Sequence, residues 1–216
     1  MKIAGWHKVS LIDYPGKIAT VIFLAGCNMR CHYCHNSHIL DAKQNTIPLV
    51  DVVCFLRQRK KFIDAVVISG GEPTLYPDLI PLLRLLKADG FLIKLDTNGT
   101  RPKVLQQAVN LGLVDYVALD VKAPAKKYPL VTGVSITNVL VAVQYLKQQN
   151  HVEYMLRTTV SPYLSIKDLQ EIGEKIVNGA SLWQIQQCRC AGACSYVELQ
   201  KTATLLKNYA LHIVVK

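Results

Sequence analysis

Apolar runs with strand character alternate along this chain with stretches whose apolar residues recur every three or four positions. Ile18–Leu24 reads Ile-Ala-Thr-Val-Ile-Phe-Leu, a β-rich run suited to a strand buried on both faces. Over Pro48–Lys61 the period changes: Leu49, Val52, Val53 and Leu56 fall at i, i+3, i+4 and i+7, one face of a helix. Asp64–Ser69 predicts a second strand and Asp78–Ala88 a second helix. Pro81 suits the first turn of that helix, where an N–H has no acceptor to lose, and Gly90 suits its stop. Phe91–Leu95 predicts a third strand. Pro102 opens a third helix with Val104, Leu105, Ala108 and Val109 on one face. Val114–Leu119 predicts a fourth strand, followed by a longer connection, Ala125–Ile136. Thr137 is expected to cap a fourth helix with the stripe Val139, Ala142, Val143 and Leu146. After a fifth strand, His151–Thr158, Ser165 is expected to cap a fifth helix, with Asp168 at its third position near the positive end of the dipole. Leu182–Gln187 reads as a short sixth strand, Glu198–Tyr209 as a helix and Leu211–Val215 as a last strand.

Six βα units in this rhythm predict an α/β fold with a parallel sheet, curled as a partial (βα)6 TIM-like barrel. A full eight-unit barrel usually takes about 250 residues, more than the 216 here. The expected organisation is a single domain over 1–216, with an N-terminal extension over about 1–16 and a C-terminal segment over about 188–216. There are no internal repeats, no low-complexity segments and no dividing linker.

Composition narrows the partners. Half the residues are hydrophobic and only 19% are charged, enough for a sizeable core and too few charges for a disordered chain. The net charge is +10, but the basic residues are scattered, with their densest run at 57–61. No aromatic interleaving offers a base-stacking platform, so nucleic acid is not an expected partner. Met1–Lys8 lacks an apolar leader segment, and no apolar run is long enough to span a bilayer. The expectation is a cytoplasmic protein without a membrane partner. Its seven cysteines then read as metal ligands or free thiols, not disulfides.

Three of those cysteines, Cys27, Cys31 and Cys34, lie within eight residues with three and then two residues between them. Three thiolates on a cubane cluster leave one iron without a protein ligand, and that open position can take a cofactor. This spacing, with aromatic Tyr33 before the last cysteine, resembles the signature of radical S-adenosylmethionine (SAM) enzymes. Other readings compete. Cys31-His32-Tyr33-Cys34-His35 fits a c-type haem attachment pattern, which would need export. A zinc site could use His35 or His38 as fourth ligand, though no second cysteine pair stands nearby. Three packed, inert thiols are the plainest alternative.

The remaining polar motifs fall at or near the C-terminal ends of predicted strands: Gly70-Gly71-Glu72-Pro73, Asp96-Thr97-Asn98, Asp120-Val121-Lys122 and Arg157. In an α/β barrel those ends share the active-site rim. Each alone reads as an ordinary turn or a local ion pair; together they point to one cleft.

The stretches Leu11-Ile12-Asp13-Tyr14-Pro15-Gly16-Lys17, Cys34-His35-Asn36, Ser69-Gly70-Gly71-Glu72-Pro73-Thr74, Lys94-Leu95-Asp96-Thr97-Asn98-Gly99, the run from Ala118 to Pro124, and Arg157-Thr158-Thr159-Val160 resemble the anaerobic ribonucleotide reductase activating proteins. These are radical SAM enzymes related to pyruvate formate-lyase activating enzymes. The resemblance runs from about Gly5 to about Val160. It implies that Cys27, Cys31 and Cys34 hold three irons of a 4Fe-4S cluster whose fourth iron takes SAM. It implies that Gly70, Gly71 and Glu72 lie against the SAM amino group, that Asp96 and Asn98 are SAM contacts, and that Arg157 pairs with the SAM carboxylate. Asp120 and Lys122 would touch SAM or an incoming substrate loop, and Tyr33 would lie near the adenine. The implied reaction is reductive cleavage of SAM to a 5′-deoxyadenosyl radical, which makes a glycyl radical on a partner enzyme, anaerobic ribonucleotide reductase. The implied electron donor is a flavodoxin- or ferredoxin-type protein. Two alternatives stand beside this: a small-molecule radical SAM enzyme of the deazapurine synthase kind, and a non-enzymatic iron–sulfur or zinc-binding module.

Cys188, Cys190 and Cys194 depart from that resemblance, which leads one to expect a Gln-rich stretch ending in an aromatic where Gln184, Gln186, Gln187 and Cys188 stand. They read as incidental, with a second metal or cluster as the alternative. Cys54, inside the first helix, reads as core.

Overall fold

The computed structural model describes residues 1–40, 46–190, 192 and 194–216. The strands are β1 (Ile3–Ser10), β2 (Ala19–Leu24), β3 (Ala65–Gly70), β4 (Leu92–Thr97), β5 (Tyr116–Asp120), β6 (Glu153–Val160), β7 (Ala180–Gln187) and β8 (Ala210–Val215). The helices are α1 (Leu49–Gln58), α2 (Leu79–Ala88), α3 (Pro102–Asn110), α4 (Tyr128–Thr132), α5 (Thr137–Gln148), α6 (Ile166–Ile172) and α7 (Tyr196–Leu205). The sheet order follows chain order from β1 to β8 and is not closed among the described residues. This is the expected α/β class with an open, mostly parallel sheet. No helix among the described residues is long and apolar enough to cross a membrane.

The chain gathers into two compact units. One holds Met1–Asn28, Asn36–Thr97 and Lys103–Val117; the other holds Met29–His35, Asn98–Pro102 and Ala118–Lys216.

In the first unit β2 runs parallel to β3, from Ala19 opposite Ala65 to Leu24 opposite Gly70, and β3 runs parallel to β4. Val21, Ile22 and Leu24 of β2 and the run Ala65–Ile68 of β3 are buried on both faces, which explains why neither strand alternates. Helix α1 buries Val52, Val53 and Leu56 of its expected stripe, while Leu49, its first residue, is exposed; α2 buries Leu79, Leu82, Leu83 and Leu86. Cys54 departs from its expected core position: it points away from that buried face and is exposed.

Strand β1 is an addition to the predicted set. It pairs antiparallel with β2, with register shifts between Ile3 and Gly5 and between His7 and Ser10. Those irregularities break the alternation, and His7, Lys8 and Val9 are exposed, so neither pattern of a strand stands out.

In the second unit β6, β7 and β8 run parallel. Trp183 of β7 is fully buried and donates its indole N–H to Thr158 Oγ1 at 3.0 Å. Helix α4 and its left-handed C-cap Gly133 occupy the stretch expected as an irregular connection. Thr137 is not a cap: it is the first residue of α5, and the Ser135 hydroxyl accepts its N–H at 3.3 Å. Ser165 does cap α6, in a reciprocal box with Asp168.

Asp168 also accepts the Lys127 ammonium at 2.7 Å. Burial pushes its carboxyl up, but the bonds from Lys127 and from the Ser165 N–H and hydroxyl outweigh burial and hold it below the ordinary carboxylate value. A depressed carboxyl contributes stability above its unfolded value of about 3.9, and the contribution is lost as pH falls through the folded value. Ser165→Ala is expected to cost about 1 kcal/mol in denaturant melts at pH 7. Asp168→Asn is expected to be less stable than wild type at pH 7, with the two melts converging below about pH 4.

Candidate functional site

In the first unit the C-terminal ends of β2, β3 and β4 are tied together by backbone and buried carboxylates. Gly70, at φ +120°, closes β3 where a Cβ would stand 2.3 Å from both the N and the O of Leu24. On Gly71 a Cβ would stand 1.9 Å from the carbonyl oxygen of Gly26. Two hydrogen bonds use that closeness: Gly71 N–H donates to Leu24 O and Glu72 N–H to Gly26 O, both at 2.8 Å. The glycines are therefore required by the backbone that leads into Cys27, whatever ligand they also face.

Glu72 is fully buried. Its Oε1 accepts the Thr74 N–H at 3.0 Å, the Thr97 hydroxyl at 2.8 Å and the Thr74 hydroxyl. Asp96 accepts the Lys94 ammonium at 2.6 Å and the Ser69 hydroxyl at 3.3 Å. Lys94 is almost wholly buried and shares Asp96's face of β4 at a spacing of two. Sequence reasoning gave no role to Lys94, Thr74 or Thr97. A lysine inside an apolar run, two positions before an aspartate, is the signal that was there to find.

In the second unit Cys31 and Cys34 share a turn closed by Cys34 N–H donating to Cys31 O at 3.1 Å. The Arg30 N–H, one residue before Cys31, donates to Thr132 O at the end of α4 at 2.9 Å. Asn98 accepts the Thr100 N–H at 3.0 Å and the Thr100 hydroxyl at 2.7 Å, fixing the turn after β4. Asp120, at the end of β5, sits between two cations: Arg157 Nε donates to Oδ1 at 2.6 Å and Lys122 Nζ to Oδ2 at 3.0 Å.

All three of these side chains are mostly buried, at 18–19% exposure. Burial pushes the Asp120 carboxyl up, but Arg157 and Lys122 overcome it and hold it well below the usual range. Burial likewise opposes the Lys122 ammonium, and Asp120 outweighs that and raises it well above its usual value. The trio carries net +1 and suits a monoanion such as a carboxylate. Tyr33 and Tyr128 lie in the same electrostatic neighbourhood as Lys122, Asp120 and Cys31. Tyr128 was missed because its helix was not expected.

The second cysteine group differs from expectation. Cys188 and Cys190 form a disulfide, with Cα atoms 5.3 Å apart, while Cys194 is free. The reading of all seven as ligands or thiols rested on compartment, which does not constrain two residues this close. Arg189, between the two, donates its N–H to His35 Nε2 at 3.2 Å.

Comparison with known proteins places the chain. The profile of the radical SAM superfamily matches residues 21–176. The chain is a radical SAM enzyme. It is 39% identical over 195 residues to a Methanocaldococcus jannaschii protein named as a glycyl-radical enzyme activating enzyme, covering 86% of this chain and 79% of that one. It is 32% identical over 180 residues to the pyruvate formate-lyase-activating enzyme of Streptococcus mutans, covering 76% and 68%. Among solved structures, Streptococcus suis SuiB bound to S-adenosylmethionine superposes with a TM-score of 0.67 at 15% identity, over 91% of this chain and 51% of SuiB. The chain thus spans about half of SuiB, and that likeness is one of fold.

The radical SAM family implies a four-iron cluster and SAM. Cys27, Cys31 and Cys34 are partly exposed and outside any disulfide, as ligands must be. Among the described residues no three His, Cys, Asp or Glu side chains are arranged to hold one metal ion. A four-iron cluster takes each thiolate on its own iron, so its ligands need not converge on one point. The residues fit the group.

The glycine contacts set a mutational contrast. Gly71→Ala is expected to cost about 3 kcal/mol, the upper end for overpacking, because backbone must move to admit the methyl. Gly5→Ala, with nothing within 4 Å of its Cβ position, is expected to be neutral or slightly stabilising in the same melts.

Proposed function

We propose that this enzyme reductively cleaves SAM and makes a glycyl radical on a partner enzyme in the cytoplasm, with anaerobic ribonucleotide reductase as the partner and a flavodoxin- or ferredoxin-type protein as electron donor. The observation that carries the SAM half is the buried Arg157–Asp120–Lys122 trio, net +1, in the neighbourhood of Tyr33 and Cys31. The relatives named as activating enzymes support the glycyl-radical half. The motif resemblance supports the choice of reductase.

In this reading Cys27, Cys31 and Cys34 hold three irons and leave the fourth for SAM. The chemistry that the cluster and SAM supply together is one-electron cleavage of the sulfonium, giving methionine and a 5′-deoxyadenosyl radical able to take a hydrogen atom from a glycine Cα. The chain's own residues bind and orient. Glu72, held by Thr74 and Thr97, fixes the Gly70-Gly71 turn that faces the SAM amino group. Asp96, neutralised by Lys94, and Asn98 complete the contacts to SAM. Asp120 aims the Arg157 guanidinium at the SAM carboxylate, where a planar fork makes two bonds that an ammonium cannot. Lys122 adds charge at the same place, and Tyr33 lies against the adenine. Apolar side chains beside these groups keep water from the reacting atoms.

Anaerobically reconstituted enzyme is expected to carry about four irons per chain and, once reduced, to convert SAM to 5′-deoxyadenosine. With anaerobic ribonucleotide reductase added, electron paramagnetic resonance should show a glycyl doublet. SAM cleavage without a doublet on that reductase rejects the partner, and a colourless zinc protein rejects the whole reading. Cys31→Ala is expected to abolish SAM cleavage with the fold intact, since a three-ligand site has none to spare. Arg157→Lys should weaken SAM binding about tenfold, the worth of one lost charge-assisted bond, at unchanged iron content. Loss of iron with SAM affinity per cluster preserved would contradict its role.

A further inference from the structure

Three buried hydroxyls among the described residues have no hydrogen-bond partner: those of Tyr33, Tyr128 and Ser161. The two tyrosines belong together. Tyr128 is fully buried and Tyr33 is 8% exposed. The same groups, Lys122, Asp120 and Cys31, act on both, and the Lys122 ammonium in turn feels Asp120, Tyr33, Cys31 and Tyr128. One lysine, two buried tyrosines and a partly exposed cysteine thus lie in one neighbourhood.

Leaving a buried hydroxyl unbonded costs stability, and phenylalanine would fill the same space without that cost. A hydroxyl kept there is expected to meet an acceptor when the protein is loaded. In this structure Asp120 bonds Arg157 and Lys122 and neither tyrosine. A phenol is protonated at neutral pH, so the Tyr128 hydroxyl has a proton to donate. In its neighbourhood the group that becomes a strong acceptor on loading is Cys31, as a thiolate on iron, with the inorganic sulfides next to it.

Helix α4 is built to hold the hydroxyl there. Tyr128 is its first residue, and its carbonyl accepts the Thr132 hydroxyl at 2.7 Å. Thr132 is its last residue, and its carbonyl holds the Arg30 N–H beside Cys31 at 2.9 Å. One helical turn therefore carries both the unbonded hydroxyl and the anchor of the cysteine turn.

We propose that Tyr128 is a positioning residue for the cluster, donating its hydroxyl to a sulfur at the Cys31 corner and so making the cluster easier to reduce. The inference rests on the proposed cluster at Cys27, Cys31 and Cys34. A donor stabilises the reduced state more than the oxidised one, because the reduced state carries more negative charge on its sulfurs. No atom is transferred.

The test is Tyr128→Phe in the full chain, with four readouts: melting of the metal-free protein, iron content, cluster midpoint by potentiometric electron paramagnetic resonance, and SAM affinity. The metal-free variant is expected to melt no lower than wild type, since it loses only an unbonded hydroxyl. The reconstituted variant should hold wild-type iron and bind SAM equally well. Its reduction should become up to about tenfold less favourable, a fall in midpoint of up to about 59 mV for one electron. An unmoved midpoint overturns the inference. So does a loss of SAM affinity without a midpoint shift, which would assign the hydroxyl to SAM. A metal-free variant that melts lower or fails to fold overturns it too, since the hydroxyl would then serve the fold. Wild-type protein that takes up no iron sinks the function as well as this inference; a wild-type cluster insensitive to Tyr128→Phe sinks the inference alone.

Discussion

The first unit depends on a contact in which no side chain takes part. Gly70 and Gly71 bring the end of β3 so close to Leu24 and Gly26 that one methyl group would collide with backbone at 1.9–2.3 Å. Two amide bonds at 2.8 Å then fix the height of the β2 end against the β3 end. Everything that follows on either strand inherits that register: Cys27 on one side, Glu72 on the other. Glu72 extends the tie to β4 through Thr97. A buried carboxylate holding three donors on one oxygen is costly to desolvate and rigid once bonded, which suits a residue whose task is to keep a turn in place.

The second unit is governed by charge. Two cations share one carboxylate in a largely dry setting, Arg157 on one oxygen and Lys122 on the other. Burial opposes the charge on Asp120 and on Lys122; Arg157 and Lys122 keep the carboxylate ionised, and Asp120 keeps the ammonium charged. Removal of any one is therefore expected to alter the other two, and the trio behaves as one electrostatic unit.

The strands and helices that bury an apolar face were legible in the sequence, because burial imposes period: α5 buries the whole stripe its spacing named, and α1 buries all of its stripe but Leu49. The motifs at strand ends were legible as chemistry, because Asp120, Lys122 and Arg157 are expensive to bury without purpose. The misses have physical reasons. β1 is an edge strand, with β2 its one strand neighbour among the described residues, and it is irregular in register, so it carries no clean alternation. α4 is five residues long, too short to show a stripe. Cys54 fell in a helix whose apolar face was correctly named, yet it lies just off that face. The partners of Glu72 and Asp96 come from other strands, and pairing across strands leaves no trace in local spacing. The Cys188–Cys190 bond depends on backbone geometry that a two-residue separation does not fix.

The anchor of the cysteine turn has a consequence for how the enzyme is made. The Arg30 N–H waits for the carbonyl of Thr132. During synthesis the cysteines emerge first, and their turn stays unbraced until about a hundred more residues have been added, some 5–20 s at ordinary elongation rates. A nascent chain that ends before α4 would carry Cys31 and Cys34 in an unbraced turn, more open to oxidation than in the finished fold. The brace is completed only once α4 has been made, so the order of the chain sets when this turn becomes fixed.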